Sequence, residues 1–215
     1  MKIMNDDTLL FIGDSITDAG RDRLDSTDLG QGFPLLISAY LQTLFPEKRL
    51  TILNRGIGGD KLSDVKNRWE EDCLDLNPDI VTLLVGINDT WRNLESNHIA
   101  SEAELEKFET DYRFLLKSLL QRTDARVILV EPFVLPYPKD RINWRKDLDE
   151  RIQIVRKMAK EYQAELIPLD GLLNAQGIKN GFSYYTGEDG VHPTVAGHGF
   201  IAKSWISTII EKKIL

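Results

Sequence analysis

Five short apolar runs, separated by longer stretches with helical periodicity, constrain the fold of this chain more than any other feature. Short runs rich in β-branched residues are typical of buried strands, and apolar residues three or four apart are typical of helices packed on a sheet. This alternation predicts a mostly parallel sheet with helices on both faces, a three-layer α/β/α sandwich. The predicted strands are residues 8–12, 50–53, 80–85, 126–133 and 165–169.

The segments between the strands are predicted from their periodicity and polarity. Over residues 144–162 the apolar side chains recur three or four apart, which predicts a helix with one apolar face. A final helix is predicted from about residue 195 to residue 211. The polar segment 92–101 and the proline-containing segment 133–143 are predicted to be loops. No linker or repeat divides the chain, so we expect one domain over residues 1–215.

Charge and cysteine content exclude several classes of function. The formal net charge is -7 with acidic and basic residues interleaved, so the chain lacks a basic patch for nucleic acid or an anionic membrane. No apolar stretch approaches the roughly 20 residues needed to span a bilayer. Cys73 is the only cysteine, which excludes an internal disulfide and agrees with a reducing compartment. We expect a cytoplasmic protein that acts on a small neutral molecule.

The first predicted strand leads into a candidate nucleophile. In sheets of this type the ligand crevice lies beyond the carboxyl ends of the strands, and Gly13-Asp14-Ser15 stands there. A serine hydroxyl is a weak nucleophile and needs a general base within hydrogen-bond reach. Taken alone, the motif is equally compatible with Ser15 as the cap of the next helix.

Three histidines are available as that base: His98, His192 and His198. His192 follows Asp189 by three residues, so a single turn can bring the carboxylate to imidazole Nδ1 and leave Nε2 to accept the serine proton. An isolated Asp-x-x-His is more often a surface pair. His98 stands in a polar segment without such a partner, and His198 is expected to pack or cap in the last helix.

Acyl transfer also needs hydrogen-bond donors for the carbonyl oxygen as it becomes negative. Two segments that follow predicted strands can supply them. Residues 54–60 are rich in glycine, which lets backbone N–H groups approach a substrate closely, and the amide of Asn88 donates without carrying charge. The N–H of Ser15 is a third donor. Ordinary turn chemistry for the glycines and a helix N-cap for Asn88 are the alternatives.

In this order the motifs resemble those that define the SGNH, or GDSL-type, serine hydrolases: Gly13-Asp14-Ser15, Gly59, Gly86-x-Asn88-Asp89 and Asp189-x-x-His192. The resemblance covers the chain from residue 8 to the last helix and implies a flavodoxin-like sandwich. It implies Ser15 as nucleophile, Asp189 and His192 as the rest of a catalytic triad, and Gly59 and Asn88 as oxyanion donors. The two-step acyl-enzyme mechanism of such a triad needs no metal or cofactor.

Within this family, residues 12–18, 86–92 and 191–198 are most similar to bacterial acetylesterases that act on xylo-oligosaccharides. The implied substrate is a small ester, an acetylated sugar above all. A lysophospholipase or a broad-specificity short-chain esterase of the same family is the alternative. The chain differs from many relatives at Gly58, where a small hydroxyl residue is frequent, and at Asp60, where Asn is frequent. The residues predicted to contact substrate are Asp14, Trp91, Arg92 and Tyr184.

Two other classes of protein fit the sequence less well. A metal-dependent phosphatase would use an aspartate near the end of the first strand, where Asp14 and Asp18 stand, but no later acidic pair follows a strand to hold Mg²⁺. A noncatalytic carbohydrate-binding protein would not need all four motifs. The motifs G-x-S-x-G, H-E-x-x-H and the P-loop are absent. The oligomeric state, including a homo-oligomer, is left open.

Overall fold

The computed structural model describes residues 2–96 and 99–209, and its central element is a five-stranded sheet. The strands lie in the order β2-β1-β3-β4-β5, and each neighbouring pair is parallel. The strands are β1 (Thr8–Gly13), β2 (Thr51–Gly56), β3 (Ile80–Leu84), β4 (Arg126–Val130) and β5 (Glu165–Ile167).

Helices connect these strands throughout the described part of the chain. Three short segments depart from α-helical geometry: 3₁₀ turns at Pro46–Lys48 and Lys139–Trp144 and a π-helical turn at Glu70–Leu74. The α-helices are α1 (Ser15–Asp18), α2 (Phe33–Leu44), α3 (Leu62–Asn67), α4 (Ile87–Glu95), α5 (Glu102–Arg122), α6 (Arg145–Glu161), α7 (Leu169–Asn180), α8 (Ser183–Thr186) and α9 (Val195–Ile209).

Each face of the sheet has its own hydrophobic core. Successive residues of a strand point to opposite faces, so Leu9 and Phe11 of β1 enter one core while Leu10 and Ile12 enter the other. Helices α2 and α9 pack on the first face, and α3 and α5 pack on the second. The predicted three-layer α/β/α sandwich with a parallel sheet is therefore confirmed.

Three strands end earlier than the apolar runs that predict them. β3 ends one residue early, at Leu84, and proline is the reason in the other two. β4 ends at Val130 although the apolar run continues to residue 133, because Pro132 has no N–H to donate to a neighbouring strand. β5 ends at Ile167, directly before Pro168, instead of continuing to residue 169. The predicted strands are right in number and place but too long at this edge of the sheet.

β2 extends beyond residue 53, its predicted end, and the extension positions the candidate site. Its last residue, Gly56, pairs with Gly13 at the end of β1. A Cβ atom on Gly56 would lie 2.1 Å from the backbone N of Asp18, and one on Gly13 would lie 2.1 Å from the carbonyl oxygen of Leu84. Glycine at these two positions therefore lets α1 rest directly against the strand ends.

The predicted helices are present, with differences at their borders. α6 fills the predicted segment 144–162, and α9 begins at Val195, while residues 210 and 211 lie outside the described residues. The predicted loop 92–101 is wrong at its start, since α4 continues to Glu95. Leu94 is the one apolar residue at positions 92–95, so the end of this amphipathic helix shows no apolar repeat of its own in the sequence. Residues 139–143 of the other predicted loop form a 3₁₀ turn.

Some predictions concern properties beyond the sheet. Within residues 2–96 and 99–209 no helix is both long and apolar enough to cross a bilayer. Cys73 is buried and unpaired, and burial raises the pKa of its thiol. The single domain over residues 1–215 and the cytoplasmic location stay predictions.

Candidate active site

Ser15 and His192, which stand at opposite ends of the sequence, are in hydrogen-bond contact. The Oγ atom of Ser15 lies 2.9 Å from Nε2 of His192. On the other side of the ring, Nδ1 lies 2.5 Å from Oδ2 of Asp189. With the Nδ1 proton directed to the carboxylate, Nε2 is the nitrogen that can accept a proton from serine. The geometry is that of a nucleophile, a general base and an orienting acid.

Asp189 is held in place by the backbone that carries it. Its Oδ1 accepts hydrogen bonds from the N–H groups of Val191 at 2.9 Å and His192 at 2.8 Å. Oδ1 of Asp189 thus closes the turn of residues 189–192, while Oδ2 orients the His192 ring. The three-residue spacing allows both contacts at once. Burial pushes the pKa of Asp189 upward, but the hydrogen bonds from the His192 ring and the two N–H groups outweigh it and hold the pKa below its usual range.

The basicity of His192 depends on the same contact. The hydrogen bond to Asp189 raises the pKa of His192 above the ordinary 6.5, although partial burial opposes it. A higher pKa makes the neutral imidazole a stronger base. The His192 side chain is 48% exposed, so water can reach the ring.

Ser15 is the first residue of α1, not its cap. Asp14 occupies the cap position, where its Oδ1 accepts the N–H of Ile16 at 3.0 Å. The alternative role of Ser15 as a helix cap is therefore wrong. As the first helical residue, Ser15 has no acceptor for its N–H within the helix, so this group can donate to a substrate oxygen.

Asp14 lies fully buried beneath the nucleophile. Its second carboxyl oxygen, Oδ2, has no hydrogen-bond partner within the described part of the chain. Burial is the main cause that raises the pKa of Asp14 to about 7. Because the residue has no exposed surface, the prediction that Asp14 contacts substrate does not fit the structure. Helix capping explains its position better.

A loop of residues 56–60, called here the glycine loop, places Gly58 next to Ser15, and Gly59 follows it. Gly59 has a φ of +88°, in the left-handed region that favours glycine. A Cβ atom built on Gly58 would lie 3.8 Å from the Cβ of Ser15, so the loop runs beside the nucleophile. That space accepts a small side chain at position 58.

Asn88 stands in the first turn of α4, after β3. The cap of α4 is Gly86, so the alternative role of Asn88 as an N-cap is wrong. The residue is 7% exposed, and its Nδ2 donates to the carbonyl oxygen of Asp60 at 3.0 Å. An amide carries two N–H donors, so the second can serve a substrate while the first ties Asn88 to the glycine loop.

Two arginines that the sequence analysis did not single out support the site from outside. Arg68 donates to Oδ2 of Asp60 at 2.8 Å and to the carbonyl oxygen of Gly13 at 3.1 Å. Arg141 donates from Nε to the carbonyl oxygen of Asp189 at 2.8 Å. No sequence signal marks either residue, because each acts across the fold from a segment without a motif.

Trp91 lies beside His192, with 6.5 Å between the ring centres. It also packs at 4.9 Å on Trp144, and the Arg141 guanidinium lies 4.4 Å from the centre of the Trp144 ring. The structure therefore brings Trp91 to the site. Arg92 points elsewhere: it pairs with Glu95 at 2.7 Å and lines a separate cavity of about 750 Å³. Its predicted role as a hydrogen-bonding arm in the site does not fit.

Tyr184 supports the segment that follows His192. Its carbonyl oxygen accepts a hydrogen bond from Oγ1 of Thr194 at 2.6 Å. The ring is 61% exposed and packs edge-on against Tyr185 at 5.1 Å. Contact between this ring and a substrate stays a prediction.

The remaining histidines differ in what the structure describes. His198 accepts the backbone N–H of Phe33 on Nδ1 at 3.3 Å and stacks on the Phe33 ring. Burial lowers the pKa of His198 to about 4, so the ring is neutral at physiological pH. The predicted packing role of His198 in the last helix fits these contacts. His98 lies outside the described residues.

Comparison with known proteins identifies the family. Residues 11–200 match the GDSL-like Lipase/Acylhydrolase family. The chain belongs to this family. Over 216 residues, 97% of this chain and 96% of the other, it is 33% identical to an acetylxylan esterase of Geobacillus stearothermophilus. The solved structure of an acetylxylan esterase from that organism has a TM-score of 0.86 at 31% identity, covering 98% of this chain and 97% of that chain.

A second structural relative in the GDSL-like family is described as a putative GDSL-like lipase from Parabacteroides merdae. It has a TM-score of 0.89 at 31% identity and covers 96% of this chain and 97% of that chain. The predicted family, the α/β fold and the class of carboxylic ester hydrolase are confirmed by these matches.

Proposed function

We propose that this GDSL-like family member is a serine esterase that removes acetyl groups from acetylated xylo-oligosaccharides or closely related sugars. The observation that carries the proposal is the continuous contact from Ser15 Oγ through His192 to the carboxylate of Asp189, at 2.9 Å and 2.5 Å. The alcohol part of the proposed substrate, a xylose-based sugar, is inferred from the similarity to the acetylxylan esterase of Geobacillus stearothermophilus. This similarity extends over 97% of this chain.

The reaction begins with attack by Ser15. Its oxygen adds to the ester carbonyl carbon while Nε2 of His192 takes the hydroxyl proton. Asp189 stabilises the imidazolium that forms, because its carboxylate accepts the Nδ1 proton in a hydrogen bond. The carbonyl oxygen becomes negative at this point and needs donors. The N–H groups of Ser15 and Gly59 and the second N–H of the Asn88 amide are proposed to supply them.

Three further proton transfers complete the cycle. The tetrahedral intermediate collapses, the sugar oxygen leaves with the proton from His192, and Ser15 carries the acetyl group as an ester. Water then adds to this ester while His192 takes one of its protons. Collapse of the second intermediate returns the proton to Ser15 and releases acetate. These steps use no metal or cofactor, and EDTA is therefore expected to leave the rate unchanged.

The surroundings of Ser15 favour a short acyl group on a polar alcohol. A cavity of about 530 Å³ beside Ser15 is lined by the charged residues Asp18, Arg21 and Arg23, together with Leu24. A long acyl chain needs a continuous apolar surface to bind, and Leu24 is the one large apolar side chain among the described residues that line this cavity. Trp91 beside His192 is a flat, half-buried surface on which a sugar ring can pack.

A substrate panel tests the proposal. The kcat/KM values of the wild type are measured for acetylated xylo-oligosaccharides, for p-nitrophenyl esters of increasing acyl length and for a lysophospholipid, with Ser15→Ala as control. We expect the acetylated sugars to be preferred and Ser15→Ala to lower kcat by about 10⁴-fold or more. Preference for long acyl chains would instead support the lysophospholipase alternative. Hydrolysis that survives Ser15→Ala would contradict the mechanism.

A further inference from the structure

We propose that Asp18 is a positioning residue that holds the glycine loop against α1 and thereby aims the Gly59 N–H at the oxyanion. The inference rests on the proposed function, because it assigns a purpose to Asp18 within the same acyl transfer. Asp18 is the last residue of the segment 12–18 that carries part of the family resemblance, but the resemblance gives it no role.

The contacts of the Asp18 carboxylate link three segments. The residue is 5% exposed. Its Oδ2 accepts the backbone N–H of Gly58 at 3.0 Å and Nη2 of Arg23 at 2.6 Å. Its Oδ1 accepts the backbone N–H of Arg21 at 3.1 Å. One buried side chain therefore joins the glycine loop to the loop that follows α1.

The position of Asp18 makes the link relevant to catalysis. Asp18 ends the short helix that begins at Ser15, so the nucleophile and the anchor of the glycine loop belong to one rigid turn. Gly58 directly precedes Gly59, and the two peptide planes share a Cα atom. Fixing the Gly58 N–H to the carboxylate therefore limits the directions in which the Gly59 N–H can point.

This chain needs such an anchor because its loop carries two consecutive glycines. Glycine loses more conformational freedom on ordering than any other residue, and Gly59 already has a φ of +88°. Donors act well on a developing oxyanion only when they are oriented before the reaction. The backbone of Gly58 and Gly59 cannot supply that order by itself, and the hydrogen bond from Gly58 to Asp18 can.

Arg23 offsets an unwanted effect of the carboxylate. A negative charge close to a developing oxyanion would oppose the reaction. The Arg23 guanidinium pairs with Asp18, and its Nη2 lies 3.7 Å from where a Cβ of Gly58 would be. Its side chain is 51% exposed, so the pair is partly screened by solvent. We expect Arg23 to matter less than Asp18 for the rate.

Four variants separate this role from a structural one. Asp18→Ala removes the acceptor, and Asp18→Asn keeps an oxygen that can accept the Gly58 N–H. Arg23→Ala removes the ion pair but keeps the carboxylate. Asp28→Asn is the matched control, because Asp28 accepts backbone N–H groups from Asp22 and Gly30 in the same loop without contacting the glycine loop.

The kinetic constants of these variants give the test. Asp18→Ala is expected to lower kcat by about 10- to 100-fold with KM changed less than about threefold, because a misaimed donor costs less than a deleted one. Asp18→Asn is expected to recover part of this loss and to remain about three- to tenfold below wild type. Asp28→Asn is expected to stay within about threefold of the wild-type kcat, and Arg23→Ala is expected to lose less than Asp18→Ala, because the ion pair is partly exposed to solvent. Melting temperatures of all four are measured alongside.

Several outcomes would overturn the assignment. They are an Asp18→Asn variant equal to wild type, a loss confined to KM, or an Arg23→Ala loss as large as that of Asp18→Ala. If Asp18→Ala does not fold, the test is the kcat of Asp18→Asn compared with that of the control Asp28→Asn, and only the former is expected to fall. Failure of the proposed function would look different: the wild type itself would not be labelled at Ser15 by an organophosphonate.

Discussion

The proposed nucleophile and the proposed oxyanion donors come from the ends of neighbouring strands, whereas Asp189 and His192 come from a loop outside the sheet. The first region is packed: Asn88 is 7% exposed, and Gly56 lets the end of β2 touch α1. The second is open, with 48% of the His192 side chain and 33% of the Asp189 side chain exposed. Hydrogen bonds order both regions, and the close packing of the strand ends adds to them only in the first.

The hydrogen bonds that order the second region come from the segment after β4. The N–H of Leu135 donates to the carbonyl oxygen of Gly190 at 2.8 Å, and Arg141 donates to that of Asp189 at 2.8 Å. A Cβ atom on Gly190 would lie 2.4 Å from the carbonyl oxygen of Tyr137. The loop therefore lies close against this segment, and substitutions there are expected to change proton transfer more than folding.

The largest effect is expected at His192, whose side chain contacts both regions. His192→Asn should lower kcat by about 10⁴-fold, because no base remains to take the Ser15 proton. The matched control is His198→Asn, which removes a packed imidazole whose pKa is lowered to about 4 by burial. Its kcat should stay near wild type while its melting temperature falls. Similar kinetic losses in both variants would contradict the distinction.

A smaller loss is expected in the packed region. Asn88→Ala should lower kcat by about 10²- to 10³-fold with little change in KM, because it deletes a donor to the oxyanion. The control is Asn93→Ala on the same helix. The Asn93 amide donates a hydrogen bond of 3.2 Å to Oδ2 of Asp147, and this contact lies away from the site. That variant should lose thermal stability but keep its kcat. A loss below about tenfold for Asn88→Ala would remove Asn88 from the oxyanion role.

Arg141, which supports the loop of Asp189 and His192, is expected to affect kcat less than the residues of that loop themselves. Arg141→Ala should lower kcat by about tenfold, because Asp189 loses a backbone anchor. Arg141→Lys should lie between it and wild type, since an ammonium can donate to the carbonyl but does not reproduce the planar stacking on Trp144. If Arg141→Ala lowers only the melting temperature and leaves kcat unchanged, Arg141 is a folding residue.

The pH profile should give the smallest effect. Only neutral His192 can act as the base, so kcat/KM rises with pH. The hydrogen bond to Asp189 raises the pKa of His192, so the ring keeps its proton to a higher pH. The midpoint of the rise in kcat/KM should therefore lie above pH 6.5. Asp14, with a pKa raised to about 7 by burial, titrates in the same range. Asp14→Asn, which keeps a capping side chain, is the control and should retain the rise. A midpoint below 6.5 would be inconsistent with this role of Asp189.

The strand-end motifs could be predicted from the sequence because their positions follow from topology. Parallel strands bring their carboxyl ends to one edge, so Ser15, Gly59 and Asn88 had to lie near each other once the strands were assigned. The Asp189–His192 contact is local and follows from its spacing. Its meeting with Ser15 was predicted from the choice among three histidines and from the resemblance, because no periodicity relates residues 177 positions apart.

The sequence did not predict where some side chains point, or which residues contact each other across the fold. Arg92 follows Trp91 in sequence, but adjacent residues of a helix face different sides, and the polar stretch gave no sign that a helix was present. Asp14 is next to the nucleophile yet points into the protein. Arg68 and Arg141 act on carbonyl oxygens across the fold. Such contacts depend on how elements pack, which a single sequence does not record.

The account depends on Ser15 and His192 acting as one unit across the two regions. The most direct measurement is the kcat of Ser15→Ala, His192→Ala and the double variant on an acetylated xylo-oligosaccharide. If the two residues form one unit, the double variant should be within about threefold of either single variant, because removing one already abolishes the shared function. Losses that multiply in the double variant would show independent roles and would contradict the account.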